Sequence, residues 1–190
     1  AQIDTAQSRF GGASAQFDGR TDYLEIPDGA DWNFGAGAFT IDMQVEFNSL
    51  LDYQTLWSHV TDKNNYARLL WSGSTGQLMF WVLNAGSLVI NVTAAWAPSP
   101  STWYHVALTR QGNDFRLFVN GAQIGKTVTD RQGDAIGDYT GNPQIGSLFY
   151  STSQIWFFNV WIDEFSVSKG IARWSQDEFP NDNRFFTPPA

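Results

Sequence analysis

Polar and apolar residues alternate along this chain in short blocks, and each block is closed by Gly, Asn, Asp or Pro. Alternation with a period of two predicts half-buried β-strands, and no segment carries the periodicity of a long amphipathic helix. The predicted strands cover residues 15–17, 23–26, 39–47, 55–60, 66–72, 77–83, 87–93, 103–110, 115–119, 122–128, 144–145, 154–158 and 161–168. So many short strands joined by short turns predict an all-β fold, a sandwich of two packed antiparallel sheets.

The strongest local signal is a hairpin turn at Asn120-Gly121. This dipeptide supplies the two positive φ angles of a type I′ turn, directly after the strand at 115–119. Near the C-terminus, residues 175–178 read Ser-Gln-Asp-Glu, which has the form of a capping box and predicts one helical turn. The length of 190 residues fits one domain, so we assign 1–190 to a single domain with 179–190 as a tail or linker.

Composition then removes several classes of function. The chain has no Cys, which excludes a disulfide framework, a thiol nucleophile and an iron–sulfur cluster, and it has two His. Its 11 Lys and Arg against 19 Asp and Glu, a net charge of -8, argue against a nucleic-acid partner. No apolar run approaches the roughly 18 residues of a membrane span, so none is predicted.

Several segments, in this order and spacing, resemble the laminin-G-like jelly roll of the concanavalin A-like lectin/glucanase superfamily. The resemblance runs from about residue 10 to 189, and its segments are Ala-Gln-Phe-Asp-Gly at 15–19, Asp-Tyr-Leu-Glu-Ile at 22–26, Gly-Ala-Phe-Thr-Ile-Asp at 37–42, Trp-Tyr-His-Val-Ala-Leu-Thr-Arg at 103–110, Phe-Val-Asn-Gly at 118–121, Gln-Ile-Gly at 144–146 and Trp-Ile-Asp-Glu-Phe at 161–165. The closing segments at 168–174 and 186–189 are similar to the ends of such modules in bacteriophage and marine bacterial surface proteins. The resemblance therefore implies a two-sheet jelly roll.

The same superfamily contains hydrolases, whose signature places Glu, Asp and Glu at alternating positions of one strand. No such run occurs here. The nearest approaches are Asp42 with Glu46, four residues apart, and the adjacent Asp163-Glu164, which point to opposite faces of a strand. A solvated strand face explains Asp42 and Glu46 without catalysis, so the sequence predicts that the domain is not an enzyme.

A structural calcium ion is a further expectation, since members of this superfamily often carry one where the N-terminal loops meet the last strand. The resemblance implies oxygen ligands from Asp18, Asp22 and Asp163. The alternative is that Asp18 and Asp22 only form turns, which Asp favours through hydrogen bonds to its own backbone neighbours.

The nine Trp residues exceed what a chain of this length needs for its core. Carbohydrate modules stack aromatic rings on the apolar faces of sugars. Strand parity predicts that Trp81 points outward, and the same rule places Trp57 and His59 outward and Arg68 opposite to its apolar neighbours. The aromatic-rich segment at 149–159 adds Trp156. The alternative is that these rings are used in the core or in an interface with another chain.

The predicted function is a non-catalytic carbohydrate-binding or adhesion module of a larger extracellular or virion-surface protein. Its partner would be a polysaccharide or oligosaccharide, bound by Trp57, His59, Arg68, Trp81 and Trp156. The alternative is a virion structural or decoration domain that mediates assembly with other chains, and a glycoside hydrolase comes third.

Overall fold

The computed structural model describes residues 1–130, 132–133 and 135–175. Its strands are β1 Gln2–Asp4, β2 Ser14–Gln16, β3 Leu24–Glu25, β4 Phe39–Phe47, β5 Gln54–Asp62, β6 Asn65–Ser72, β7 Gln77–Asn84, β8 Ser87–Ala95, β9 Trp103–Gln111, β10 Asp114–Val119, β11 Ala122–Thr129, β12 Gln144–Ile145, β13 Leu148–Tyr150, β14 Ser153–Ile155 and β15 Val160–Lys169. A 3-10 turn spans Ala30–Trp32. The predicted helical turn at 175–178, beyond its first residue, and the predicted tail at 179–190 lie outside the described residues.

Two large antiparallel sheets form the domain. One sheet has seven strands in the order β1-β2-β15-β4-β9-β10-β11, and the other has six in the order β3-β12-β5-β6-β7-β8. Strands β13 and β14 form a separate two-stranded hairpin. This arrangement is the predicted all-β jelly-roll sandwich. Within the described ranges, no helix is long and apolar enough to cross a membrane.

The core lies between the two sheets and follows directly from the alternation in the sequence. In β4, the apolar residues at 39, 41, 43, 45 and 47 are at most 1% exposed and face the other sheet, whereas the polar residues between them lie on the opposite face of the strand, where most of them are also buried. From the six-stranded sheet, Leu78, Phe80 and Val82 of β7 meet them in the same cluster. Each such buried side chain contributes about 1.5–3 kcal/mol relative to an exposed one.

A β-bulge in β5 overturns part of the predicted parity. Thr55 pairs with Leu70 but Trp57 pairs with Leu69, so one extra residue is inserted between them. The insertion turns Trp57 inward, where its ring is fully buried and lies 6.5 Å from the ring of Trp32. The predicted outward orientation of Trp57 is therefore wrong.

The bulge also turns His59 inward, against the prediction. This side chain is 1% exposed and its ring meets the ring of Tyr139 edge-on at 5.4 Å. Periodicity in the sequence does not reveal a bulge, because the shift in register is set by the neighbouring strand.

The aromatic-rich segment also differs from the prediction of one strand at 154–158. It forms the hairpin of β13 and β14, with Ser151 in the left-handed region at φ 60°. The hairpin folds over the outer face of the six-stranded sheet, where Leu148 packs against Val60 and Tyr66. The outer face of the six-stranded sheet is therefore partly covered by this hairpin.

Candidate functional site

Four aromatic rings and one arginine come together on the outer face of the six-stranded sheet. Arg68 of β6 pairs directly with Trp81 of β7, so both side chains lie on the same face. The carbon at the centre of the Arg68 guanidinium group lies 4.7 Å from the ring centroid of Trp81, 5.0 Å from that of Tyr66 and 4.5 Å from that of Trp156. Tyr53 stacks on Trp156, and we call these five residues the arginine cluster.

The outer wall of the arginine cluster is held in an uncommon backbone conformation. The rings of Tyr53 and Trp156 are 4.8 Å apart and 23° from parallel. Both residues lie in the left-handed region, with φ of 53° and 56°. Bulky residues rarely adopt this conformation, and such strain concentrates at functional sites. The Thr55 backbone N–H donates to the carbonyl of Trp156 at 3.0 Å, which fixes the stacked pair against β5.

The charge of Arg68 is buried without a counterion. Its side chain is 3% exposed, no carboxylate among the described residues forms an ion pair with it, and its buried Nε has no hydrogen-bond acceptor there. Burial lowers the pKa of Arg68, and the nearby hydroxyls of Tyr66, Tyr150 and Tyr53 counteract part of this shift. An arginine nevertheless stays protonated in proteins. The rings stabilise this cation through cation–π contacts.

A polar groove of about 330 Å³ lies on the same face of the sheet, on the other side of the hairpin. The groove is lined by the aromatic residues Tyr23 and Phe149 and by polar residues that include Glu25, Asn142 and Gln144. Glu25 accepts hydrogen bonds from the amide groups of Asn142 at 2.7 Å and of Gln144 at 3.1 Å. The groove thus combines two partly exposed rings with a fixed set of polar groups.

The structure brings together three of the five predicted ligand-binding residues, namely Arg68, Trp81 and Trp156. Trp57 and His59 lie on the inner side of β5 and do not contribute to this face. Nε2 of His59 lies 3.4 Å from a carboxylate oxygen of Asp28, and burial lowers the pKa of the imidazole.

Sequence reasoning missed Tyr53 and the polar groove. The spacing of residues in the chain gave no signal for Tyr53, whose role depends on its left-handed backbone. Glu25 and Gln144 lie in predicted strands, and the alternation of residues in those strands was the signal that could have placed both side chains on the outer face.

A family model of the laminin G type, described as the concanavalin A-like lectin/glucanases superfamily, matches residues 18–176. The chain belongs to this superfamily. No curated protein sequence matches the chain.

Two solved structures show the same fold as this superfamily member. Domain 4 of AbnA, a GH43 extracellular arabinanase from Geobacillus stearothermophilus solved in complex with arabinotriose, is 18% identical with a TM-score of 0.69; the match covers 90% of this chain and 76% of that one. The CBM40 of the Ruminococcus gnavus IT-sialidase, bound to α2,3-sialyllactose, is 18% identical with a TM-score of 0.63; the match covers 80% of this chain and 92% of that one.

The three carboxylates that the superfamily resemblance implied for calcium do not form one cluster. Asp18 accepts hydrogen bonds from the backbone N–H groups of residues 20, 21 and 22, and these bonds lower the pKa of its carboxyl group. Asp22 accepts a hydrogen bond from the N-terminal amine. Asp163 instead accepts from the backbone N–H groups of Arg9 and Phe10.

Strand pairing separates Asp163 from the other two carboxylates. The Phe17 backbone N–H bonds to the Val160 carbonyl, and β2 and β15 then run in opposite directions. Asp163 therefore lies about 10–13 Å along the sheet from Asp18, at about 3.3 Å per residue. No group of three or more potential metal ligands occurs in the part of the chain that the structure describes. The residues do not fit the implied calcium site, and Asp18 and Asp22 form a turn.

The two carboxylates of β4 also differ from the hydrolase pattern of the superfamily. Asp42 accepts a hydrogen bond from Ser166 at 2.8 Å and lies 3.3 Å from Nε2 of His105. Glu46 is 6% exposed, and burial raises its pKa. The predicted solvated strand face is therefore wrong for Glu46. Residues 42, 44 and 46 are Asp, Gln and Glu, which differs from the Glu, Asp and Glu that the hydrolase signature places at such alternating positions.

Proposed function

We propose that this domain is a non-catalytic carbohydrate-binding module whose ligand lies along the outer face of the six-stranded sheet. The observation that carries the proposal is the convergence of the rings of the arginine cluster beside the polar groove. Aromatic rings at a protein surface offer flat apolar area that matches the C–H faces of a pyranose, and a few fixed polar groups read the hydroxyls.

The polar groove supplies the second requirement of a sugar site, which is orientation. The carboxylate of Glu25 can accept hydrogen bonds from sugar hydroxyls while it stays fixed by Asn142 and Gln144. Because these partners already hold the carboxylate, little side-chain freedom is lost when a ligand binds. Tyr23 and Phe149, which are 36% and 41% exposed, provide stacking surfaces at the rim.

The contacts of the candidate catalytic carboxylates support the proposal of a non-catalytic role. Asp42 accepts a hydrogen bond from Ser166 and lies beside His105, and residues 42, 44 and 46 do not carry the Glu, Asp and Glu of the hydrolase signature. The arabinanase domain and the sialidase CBM40, which share this fold, are described as parts of carbohydrate-active proteins. We therefore propose one module of a larger extracellular or virion-surface protein, with the similarity of the 168–174 segment to phage and marine bacterial modules as support for that setting.

A glycan array followed by calorimetric titration of the hits tests this proposal. We expect binding of at least one oligosaccharide, with affinity reduced about tenfold in Trp81→Ala, since one stacking platform is removed. The matched control is Trp103→Ala, because Trp103 is a partly exposed indole on the seven-stranded sheet.

Two outcomes would overturn the proposal. Silence of the wild-type domain across neutral and acidic glycans would remove the sugar-binding function itself. Equal loss of affinity in Trp81→Ala and Trp103→Ala would remove the assignment to the six-stranded sheet. Gln144→Ala extends the test to the polar groove, where an unchanged affinity would restrict the ligand to the arginine cluster.

A further inference from the structure

Arg68 has hydrogen-bonding capacity that the described part of the protein does not use. A guanidinium group carries five N–H donors in one plane. In the arginine cluster the neighbours of these donors are rings, and Nε is sealed from solvent with no acceptor among the described residues. Rings stabilise the positive charge but do not accept in-plane hydrogen bonds as an oxygen atom does.

A buried cation without hydrogen-bond partners carries a large desolvation cost. The cost is reduced when an anion provides both the opposite charge and acceptor oxygens, and a carboxylate or sulfate group does so through two parallel hydrogen bonds. No described carboxylate of this chain occupies that position, and the nearby side chains in electrostatic range of Arg68 are the tyrosines of residues 53, 66 and 150.

We propose that Arg68 is the anion-recognition residue of this surface and that the arginine cluster binds an acidic sugar through its carboxylate or sulfate ester. The inference rests on the proposed carbohydrate-binding function and names its substrate class. The partly exposed ring of Trp81 contacts the apolar face of the same sugar unit, while Trp156, which lies between Arg68 and Tyr53, holds the guanidinium group in place. Charge and stacking together then select one sugar unit of the glycan.

The net charge of the protein does not by itself favour an acidic glycan. The chain has a net charge of -8, so its average field repels acidic polysaccharides. A preference for an acidic glycan would therefore have to come from a local site and not from general electrostatic adhesion. The low dielectric of the cluster strengthens the contact between Arg68 and an anion relative to the same contact in water.

The experiment compares ligands that differ in charge alone. Oligogalacturonate and its methyl ester share one backbone, and a sulfated galactan oligosaccharide and its desulfated form provide the second pair. Titration of the wild-type domain should give affinity about tenfold higher for the acidic member of at least one pair. Which pair discriminates identifies a carboxylate or a sulfate ester as the recognised group.

Variants then locate the effect. Arg68→Met keeps the length of the side chain and should abolish the preference for the acidic member, whereas Arg68→Lys should keep part of it, because a lysine retains the charge but not the planar fork. Arg9→Met is the matched control, since Arg9 also lies over an aromatic ring, Phe10, but is exposed and remote from the six-stranded sheet.

The outcomes separate the two proposals. Equal affinity of the wild-type domain for acidic and neutral members would overturn the role of Arg68 and leave the carbohydrate-binding function intact. An acid preference that survives in folded Arg68→Met would also overturn it. Absence of binding to every glycan would overturn both. The comparison of ligands on the wild-type domain stays decisive even if Arg68→Met fails to fold.

Discussion

Two arginines are buried in the part of the chain that the structure describes, Arg110 and Arg68, and their surroundings are opposite. Arg110 is fully buried in β9, where Nε donates to the carbonyl of Gly112 at 2.9 Å and Nη1 donates to that of Gly35 at 3.0 Å. A carboxylate oxygen of Asp130 lies 3.9 Å from Nη2, and the ring of Phe115 lies below the guanidinium group. Arg68 has the rings but neither the carbonyls nor the carboxylate.

The difference teaches what each residue does. Arg110 ties three separate segments together, and its polar groups are used for that purpose. Arg68 connects no segments through hydrogen bonds with the described residues, so its charge is costly for folding alone. The uncompensated charge of Arg68, beside two aromatic residues in the left-handed region, is the basis of the anion site proposed above.

His59 shows a third solution to the same problem. Its imidazole is as deeply buried as Arg68, and burial lowers its pKa so that it remains neutral at pH 7. An arginine cannot lose its charge in this way. Of these three buried basic groups, Arg110 is paired with a carboxylate, His59 is neutral, and Arg68 keeps its charge without a carboxylate partner among the described residues.

The largest expected effect tests the structural arginine. Arg110→Met should lower the free energy of unfolding by about 3–5 kcal/mol, because the carboxylate of Asp130 then stays buried without its partner. Urea unfolding followed by tryptophan fluorescence measures the change. A loss below about 1 kcal/mol would mean that the two arginines do not differ in the way described.

The next effect concerns the outer wall of the arginine cluster. Trp156→Ala removes the stacking partner of Tyr53 and one of the rings over Arg68, so affinity for the glycan identified on the array should fall about tenfold. Stability should fall by about 1 kcal/mol, since one aromatic pair is lost. Trp103→Ala serves again as the control, and an equal fall in affinity there would contradict the location of the site.

The neutral histidine predicts a pH dependence of stability. Burial places the pKa of His59 in the folded state below its ordinary value near 6.5, so the unfolded chain takes up a proton first as the pH falls. Above about pH 6.5, His59 is neutral in both states and does not change the free energy of unfolding. As the pH falls from there toward the lower pKa of the folded state, the free energy of unfolding decreases by no more than about 1.4 kcal/mol per pH unit.

His59→Gln isolates this contribution, because both proteins share all other titrating groups. Unfolding titrations between about pH 7 and 5.5 should show a flatter dependence in the variant. Parallel curves for the two proteins would indicate that His59 does not remain neutral in the folded state.

The smallest expected effect completes the comparison of the arginines. Arg68→Met should change the free energy of unfolding by no more than about 1 kcal/mol, because lost cation–π contacts are offset by removal of a desolvated charge. Measured beside Arg110→Met under the same conditions, it separates a residue kept for folding from one kept for binding. A loss as large as that of Arg110→Met would give Arg68 a structural role.

Much of the fold could be predicted from the alternation of apolar residues. The strand at 39–47 agrees residue for residue with β4, since each of its inward positions fills the core. The alternation of residues predicts Arg68 and Trp81 on the outer face, and the structure agrees because β6 and β7 pair without a bulge. Trp57 was misplaced because its direction depends on one inserted residue, whose effect becomes visible only when β5 is paired with β6.

The rest of the site depends on contacts between distant parts of the chain. Glu25 and Asn142, which meet in the polar groove, are 117 residues apart. Tyr53 joins the arginine cluster through a left-handed backbone that no propensity of Tyr favours. The density of aromatic residues predicts a role for Trp156, which directly follows β14. It does not predict the hairpin of β13 and β14, because the turn at Ser151 has a positive φ without a glycine.

The hairpin of β13 and β14 has a consequence for how specificity evolves and how it can be engineered. It forms its own two-stranded sheet and separates the polar groove from the arginine cluster. Because its backbone pairing is internal, its tip at residues 150–153 can change in length and sequence while the sandwich keeps its register. Libraries that diversify this tip alone would redirect the surface toward new glycans on an unchanged scaffold, as variable loops do on antibody domains.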